Sequence, residues 1–179
     1  MNPGKKFEQN FSKSIPDYVY FLRIKDSASS FSPNSKSRFT SNNPFDFLIF
    51  YDGILFPLEL KSTKSKSLSI QISEDDKGKE IKYHQIKSLE EVNKYKKIIS
   101  GFIFDFRGNK TYWMYIEDFL TFLKENNKKS INIDDVEKYN GIEISKKKLR
   151  VNYRYDISKL IKDIMNIKED KNGKKNRIQ

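Results

Sequence analysis

The sequence predicts an α/β or α+β fold in which a β-sheet is flanked by helices. Short segments of strand-like alternation are interspersed with segments whose apolar residues recur at helical spacing. The chain has 179 residues, which suits a single domain, and its 14 Phe, 10 Tyr and one Trp supply bulky core side chains. We therefore expect one domain over residues 1–167 and a basic C-terminal tail over residues 168–179.

Periodicity and turn signals place the elements in order. The predicted elements are a helix over 4–15, a strand over 18–25, a polar loop over 26–43, hairpin strands over 44–51 and 54–61, a Ser- and Lys-rich loop, a helix over 82–97, strands over 100–107 and 111–116, and helices over 117–126 and 157–167. Pro16 ends the first helix. The Asp52-Gly53 pair is a strong hairpin turn signal.

The chain is strongly basic, with 35 Lys and Arg against 24 Asp and Glu, and a net charge of +11. Residues 146–179 alone hold 12 basic and 4 acidic residues. Such an excess favours a polyanionic partner, nucleic acid first and an anionic membrane surface second. For the last residues a solvated, frayed tail is the alternative. No apolar run is long enough for a membrane span and no signal peptide opens the chain, so we expect a cytoplasmic protein.

Residue usage narrows the chemistry. The chain has no cysteine and one histidine, which excludes a disulfide framework, a thiol nucleophile and a multi-histidine metal centre. A bound metal ion is therefore expected to be hard and oxygen-ligated. No glycine-rich phosphate loop is present, so no nucleotide cofactor is expected.

The predicted hairpin brings charged side chains together. The turn at residues 52–53 pairs Tyr51 with Ile54, and the same register sets Asp46 opposite Glu59. One face is entirely apolar and is expected to be the core: Phe45, Phe47, Ile49, Tyr51, Ile54, Phe56, Leu58 and Leu60. The other face carries the charged groups at one end: Asp46, Leu48, Phe50, Leu55, Pro57, Glu59 and Lys61.

This arrangement is unfavourable for stability alone. Facing carboxylates repel each other, so either one takes up a proton or a cation neutralises both. A divalent ion held by Asp46 and Glu59, Mg²⁺ or Mn²⁺, would relieve the repulsion, with Lys61 beside it. A metal-activated water next to an ammonium group is suited to attack on a phosphodiester.

Three simpler interpretations remain open at this point. In the first, Asp46 caps a turn; in the second, Lys61 forms an ordinary surface salt bridge with Glu59; in the third, Pro57 introduces a bulge that shifts the register by one.

The hairpin motif resembles that of the PD-(D/E)xK nuclease superfamily, and the chain is similar to the RecU-type Holliday junction resolvases within it. The resemblance covers most of the length. It rests on the following motifs: Gly4-x-x-Phe-Glu8, Asp46 with its spacing to Glu59, Glu59-Leu-Lys-Ser-Thr63, His84-Gln85, Gly101-Phe-Ile-Phe104 and Arg154-Tyr-Asp156. It implies a restriction-endonuclease-like fold, with a mixed central sheet flanked by helices.

The resemblance also implies roles for individual residues. Asp46 and Glu59 would bind Mg²⁺, and Lys61 would be the catalytic lysine. Glu8 would approach the metal site from the first helix, and Gln85 would support the site or contact DNA. The resemblance implies a homodimer, because symmetric cutting of a four-way junction requires two equivalent sites. Residues 26–45 are too short for the protruding stalk of the family, so a phage- or plasmid-type relative with a different DNA preference is one interpretation.

Further basic residues are candidates for DNA binding. They are Arg23, Lys25, Lys36, Arg38, Lys64, Lys66 and His84. Lys64 and Lys66 follow the motif directly and are best placed for phosphate contacts, whereas His84 may instead satisfy the start of its helix.

The function predicted from these residues is a Mg²⁺-dependent, structure-selective DNA endonuclease, most simply a junction resolvase in recombination or phage DNA processing. A sequence-specific restriction-type endonuclease is the second enzymatic interpretation. From another class, a non-catalytic DNA-binding accessory protein would retain the same core.

Overall fold

A computed structural model describes residues 2–24 and 43–175, with side chains to residue 167. These residues form the following elements: α1 (Pro3–Ser12), β1 (Tyr20–Arg23), β2 (Phe47–Tyr51), β3 (Ile54–Thr63), β4 (Ser67–Ser69), α2 (Tyr83–Val92), β5 (Gly101–Phe106), β6 (Thr111–Tyr115), α3 (Ile116–Glu125), β7 (Ser130–Asn132), α4 (Ile133–Lys138), β8 (Ile142–Glu143), β9 (Lys146–Lys148), β10 (Tyr153–Tyr155) and α5 (Ile157–Lys175).

The described residues build a six-stranded central sheet in the order β1-β2-β3-β5-β6-β8. The β3–β5 pair is parallel and its neighbours are antiparallel, so the sheet is mixed. Two small two-stranded sheets, β4 with β7 and β9 with β10, stand outside it. The predicted α/β class with a mixed central sheet flanked by helices is confirmed.

Helices cover both faces of the sheet. On one face, α1 and α5 pack on a cluster that includes Phe47, Ile103 and Trp113. On the other, α2 and α3 pack on a cluster that includes Phe102 and Phe104. Both faces of the sheet are therefore core, whereas the sequence analysis expected only one face of the hairpin to be buried.

The predicted hairpin register is confirmed between Tyr51↔Ile54 and Phe47↔Leu58. Leu48 pairs with Pro57, so the proline does not shift the register. The ladder ends one position before the expected Asp46–Glu59 pair.

Beyond the end of the ladder, the Asp46 N–H donates to Leu58 O at 3.0 Å. The regular alternation stops here, which explains why Phe45 packs in the cluster opposite the one predicted for it.

Several predicted boundaries are wrong for local reasons. The helix predicted over residues 82–97 ends at Val92, because the side chain of Asn93 accepts from Ser100 N (3.1 Å) and donates to Glu117 Oε1 (3.0 Å). The first helix ends at Ser12 rather than residue 15, and the Ser14 hydroxyl donates back to a carbonyl of its last turn. The strand predicted over residues 18–25 is shorter, at Tyr20–Arg23, within the part of the chain that is described.

Two regions contain elements that the sequence analysis did not predict. The Ser- and Lys-rich loop holds β4, which pairs with the distant β7, and residues 130–155 hold five short elements. Helix α5 continues to Lys175, eight residues past its predicted end at residue 167, so the segment expected to be a basic tail begins as helix. The division of the chain at residue 167 stays a prediction.

Among the described residues, no helix has the length and apolar character required to span a bilayer.

We predict that Gly101→Ala destabilises the fold by about 2 kcal/mol, because overpacking a core costs about this much. A Cβ at Gly101 would lie 2.3 Å from the Met114 carbonyl oxygen and 2.7 Å from Trp113 Cη2. Thermal or urea unfolding measures the loss. Gly4→Ala is the control, since its nearest neighbour would be 3.5 Å away. Equal stability of Gly101→Ala and wild type would contradict this packing.

Candidate active site

A lysine and two carboxylates meet at the end of β3. Glu59 is only 2 % exposed, and Lys61 Nζ lies 2.9 Å from its Oε1. Asp46, immediately before β2, accepts a hydrogen bond from the Leu60 N–H at 2.8 Å through Oδ2. The structure therefore brings Asp46, Glu59 and Lys61 together on neighbouring strands.

The two carboxyl groups lie close enough for the Asp46 charge to raise the pKa of Glu59. Burial raises the pKa of Glu59 to about 8, which the Lys61 ammonium opposes and the Asp46 carboxylate reinforces. Burial likewise raises the pKa of Asp46, against the opposing effects of the Leu60 N–H and Lys61. The Lys61–Glu59 contact is thus largely buried, unlike the surface salt bridge considered above.

Helix α2 supports Glu59 through Gln85. The Gln85 Nε2 donates to Glu59 Oε1, and its Oε1 accepts from the Lys82 N–H at 3.1 Å. A single amide therefore completes the first turn of the helix and fixes the orientation of the buried carboxylate. Because Glu59 Oε1 receives both Gln85 and Lys61, the direction of this carboxylate is strongly constrained.

His84 is half-buried beside the site. Burial and the positive charges of Lys82 and Lys61 lower its pKa, which keeps the imidazole neutral at neutral pH. Its position next to Gln85 places it within electrostatic reach of Lys61.

Glu8 reaches the site from α1. Its charge raises the pKa of Asp46, which shows that the two carboxylates are close. Glu8 also forms an ion pair with Arg23 of β1. Arg23, a predicted phosphate contact, is therefore already engaged by a carboxylate in this structure.

A groove of about 290 Å³ continues past Lys61 at the same end of β3. It contains two of the predicted DNA-binding residues, Lys64 and Lys66, together with Arg107 and Asp134. The Arg107 Nε is buried without a hydrogen-bond partner in the described structure. The other predicted DNA contacts, Lys25, Lys36 and Arg38, lie outside the described residues.

The sequence analysis missed two features near the site. Arg107 carried no sequence signal, because it simply follows a strand. Asp105 carried one: it is the single acidic residue in the apolar strand Gly101–Phe106. It accepts from Thr111 Oγ1 at 2.7 Å and pairs with Lys146 at 3.0 Å, on the sheet face opposite Glu59.

The donors at this site suit a hard divalent cation. Asp46 and Glu59 supply carboxylate oxygens, the ligands that Mg²⁺ prefers; Glu59 is buried and Asp46 is half-buried. In the described residues, no group of three or more His, Cys, Asp or Glu side chains is placed to hold a metal ion. Two carboxylates fit Mg²⁺, which usually keeps several waters and takes substrate phosphate oxygens.

Comparison with known proteins identifies the family to which the chain belongs. The family described as "RecU: Recombination protein U" matches residues 8–159. The chain belongs to the RecU family. The matched segment includes Glu8, the Asp46–Glu59–Lys61 group and Gln85.

Individual proteins are also similar to this chain. The SPbeta prophage-derived uncharacterized protein YotM of Bacillus subtilis (strain 168) is 41 % identical to this chain in an alignment that covers 92 % of this chain and 87 % of YotM. Among solved structures, Hjc of Archaeoglobus fulgidus, a Holliday junction resolvase, is 12 % identical with a TM-score of 0.49 over 78 % of this chain and 95 % of Hjc.

We predict that Glu59→Gln stabilises the metal-free protein on the order of 2 kcal/mol near pH 9, since each unit of pKa shift corresponds to about 1.4 kcal/mol and the lost Lys61 ion pair offsets part of the gain. Folding raises the pKa of Glu59 from 4.5 to about 8. The contribution of Glu59 to the free energy of unfolding is therefore fully present below about pH 4.5 and is lost as the pH rises through about 8. Thermal unfolding in EDTA at about pH 5 and pH 9 measures the effect.

Glu90→Gln is the matched control for this experiment, because Glu90 is more exposed and pairs only with Lys87. If Glu59→Gln proves less stable than wild type at both pH values, the buried carboxyl is not held in its protonated form.

Proposed function

We propose that the protein is a Mg²⁺-dependent endonuclease that cuts phosphodiesters in branched DNA, with Mn²⁺ able to replace Mg²⁺. The observation that carries the proposal is the convergence of Asp46, Glu59 and Lys61 from neighbouring strands. A chain built only to bind DNA has no need for a buried carboxylate beside a second carboxylate that repels it.

Each residue has a distinct part in the proposed reaction. Asp46 and Glu59 would hold the metal ion, which lowers the pKa of a bound water and offsets negative charge on the phosphate. Lys61, oriented by Glu59, would donate to the attacking water or to a phosphate oxygen as charge develops. Gln85 acts through Glu59 as a positioning residue.

The basic groove supports the same proposal. Lys64, Lys66 and Arg107 line it directly beyond Lys61, and none of the three forms an ion pair within the described residues. Three cations against Asp134 leave a net positive groove that suits a DNA phosphate backbone. His84 and Arg23 lie nearer the carboxylates and would contact DNA only beside the cleaved bond.

A homodimer is part of the proposal, because a four-way junction has two equivalent strands to cut. An exposed apolar surface on the outer strands supports it. Tyr20, Leu22 and Phe50 lie on one face of the β1–β2 pair and are each more than 40 % exposed. Exposed apolar surface of this kind is typical of protein interfaces. We propose that a second copy of the chain covers it.

The biological setting is recombination or the processing of phage DNA. Membership in the RecU family supports recombination, and the prophage origin of the similar protein YotM supports the phage setting.

We predict that the protein cuts a four-way junction in Mg²⁺, and that Asp46→Asn or Lys61→Ala lowers the cleavage rate by about 10²-fold or more while junction binding persists. The substrates are labelled junction, flap, duplex and single-stranded DNA, each with and without Mg²⁺. Asp163→Asn and Lys159→Ala are the matched controls, since these residues form an ion pair on α5 away from the site.

Other outcomes identify the alternatives. Cutting of plain duplex at a fixed sequence indicates a restriction-type enzyme. Tight, salt-dependent binding with no cleavage in Mg²⁺ or Mn²⁺ indicates a non-catalytic DNA-binding protein. Normal cleavage by the Asp46 and Lys61 variants would remove these residues from the reaction.

We also predict that Phe50→Lys converts a dimer to a monomer, because a charge in an apolar interface lacks a partner. Light scattering coupled to size-exclusion chromatography measures the mass. Tyr95→Lys is the control, as Tyr95 is 62 % exposed but lies beyond the end of α2. A dimer that persists in Phe50→Lys would place the interface elsewhere.

A further inference from the structure

A small basic hairpin projects beside the central sheet. Strands β9 and β10 pair antiparallel outside that sheet, and the Leu149 N–H donates to Asn152 O at 2.8 Å across the turn. Residues 145–155 contain three Lys and two Arg and no acidic residue. We call this segment the basic ribbon.

The root of the ribbon is anchored firmly. Lys146 is largely buried, and its Nζ lies 3.0 Å from Asp105 Oδ1 and 2.8 Å from Thr111 Oγ1. Tyr155 is buried, and its N–H donates to Ser14 Oγ at 2.9 Å. A ribbon held at its base in this way presents its outer residues in a defined direction.

The outer residues have no internal role in the described structure. Lys147, Lys148, Arg150 and Arg154 are exposed, and none pairs with a carboxylate among the described side chains. This differs from the exposed lysines Lys87, Lys94 and Lys159, which each pair with a carboxylate three or four residues away in the chain. The unpaired charges of the ribbon are therefore available to a polyanion.

Two apolar side chains stand among these charges. Leu149 is 42 % exposed and Val151 is 66 % exposed, and both lie in the turn of the ribbon. Two-stranded ribbons fit a DNA groove, and exposed apolar side chains can wedge against unstacked bases. Basic side chains that flank an apolar tip are better suited to contact DNA than to contact an apolar protein surface.

The position of the ribbon relative to the candidate site is fixed by β3 and β5. Asp105, which holds Lys146, also accepts from Ser62 Oγ at 3.3 Å, and Ser62 follows Lys61. The site and the root of the ribbon therefore lie at the same end of β3, on opposite faces of the sheet. DNA bound at the site and extending past this edge would meet the ribbon.

We propose that the basic ribbon is a second DNA-binding element, in which Lys147, Lys148, Arg150 and Arg154 contact phosphates and the Leu149–Val151 tip packs against bases where strands separate. This inference rests on the proposed function, because it takes DNA as the ligand of the site. It adds a contact that the nuclease motif does not contain.

The first test compares two double variants that remove equal charge. The ribbon variant combines Lys148→Ser with Arg150→Ser. The control variant combines Lys94→Ser with Lys96→Ser, which lie beyond the end of α2. The neighbouring Lys97 has its Nζ near the Asp52-Gly53 turn, so the control residues lie at the far end of β3 from the candidate site. Lys146 is left intact so that Asp105 keeps its partner. Fluorescence anisotropy with a labelled four-way junction and a labelled duplex in EDTA measures binding across a salt series.

We expect the ribbon variant to reduce the slope of log affinity against log salt by about 2, and to weaken binding about tenfold near 0.1 M salt, as loss of two phosphate contacts requires. The control variant should keep the wild-type slope. An unchanged slope for the ribbon variant, or an equal reduction in both variants, would overturn the proposal.

The second test addresses the tip with Leu149→Ser and Val151→Ser. We expect weaker junction binding and little change in duplex binding, with the same mass by light scattering. A change from dimer to monomer without loss of junction binding would identify the tip as a protein contact and overturn the assignment to DNA.

The two proposals fail in different ways. If the wild type binds DNA but does not cut it, the nuclease proposal fails, while the ribbon is still judged by its salt slope. If the wild type cuts junctions and the ribbon variants bind and cut equally well, the ribbon proposal fails and the nuclease proposal stands. Circular dichroism and thermal unfolding confirm that each variant is folded.

Discussion

The burial of Glu59 is the constraint on which this structure depends. A carboxyl group almost removed from water must be protonated, paired or bound to a cation. The chain supplies a lysine, a glutamine amide and a second carboxyl group around it, each from a different part of the sequence. The first turn of α2 is tied to that group directly, because the Gln85 amide contacts both Glu59 and the Lys82 N–H.

The same constraint separates stability from activity. In the absence of a cation the protein holds a carboxyl with a pKa near 8, and this costs folding free energy at high pH. Natural proteins retain such groups where chemistry needs them. The buried acid pair is for this reason stronger support for catalysis than the short Glu-x-Lys motif, which is common in unrelated sequences.

The local part of the fold was predictable from sequence because it depends on short-range rules. The turn at Asp52-Gly53 fixed the register, and the register brought Asp46, Glu59 and Lys61 together. The register counted from the turn does not extend to Asp46, which leaves the regular pairing. The Asp46 N–H donates to Leu58 O, and its carboxylate accepts from the Leu60 N–H. Lys25, Lys36 and Arg38, which were predicted to bind DNA, lie outside the described residues.

Features set by distant contacts were not predictable. Burial of both sheet faces depends on how α2 and α3 return over the strands, which periodicity within the hairpin does not contain. The ion pair of Asp105 with Lys146 joins residues far apart in the chain. In the sequence, neither residue indicates that the other is its partner. The strands of the basic ribbon are too short for alternation to be recognised.

The parallel pairing of β3 with β5 determines when the candidate site is assembled during folding. Their connection passes through β4 and α2 over residues 64–100, so the pair forms by long-range closure rather than by a tight turn. Gln85 reaches Glu59 only after this crossover has docked. A nascent chain that has already formed the β2–β3 hairpin therefore lacks an aligned Glu59 carboxylate, and the candidate site is assembled only with the completed tertiary structure.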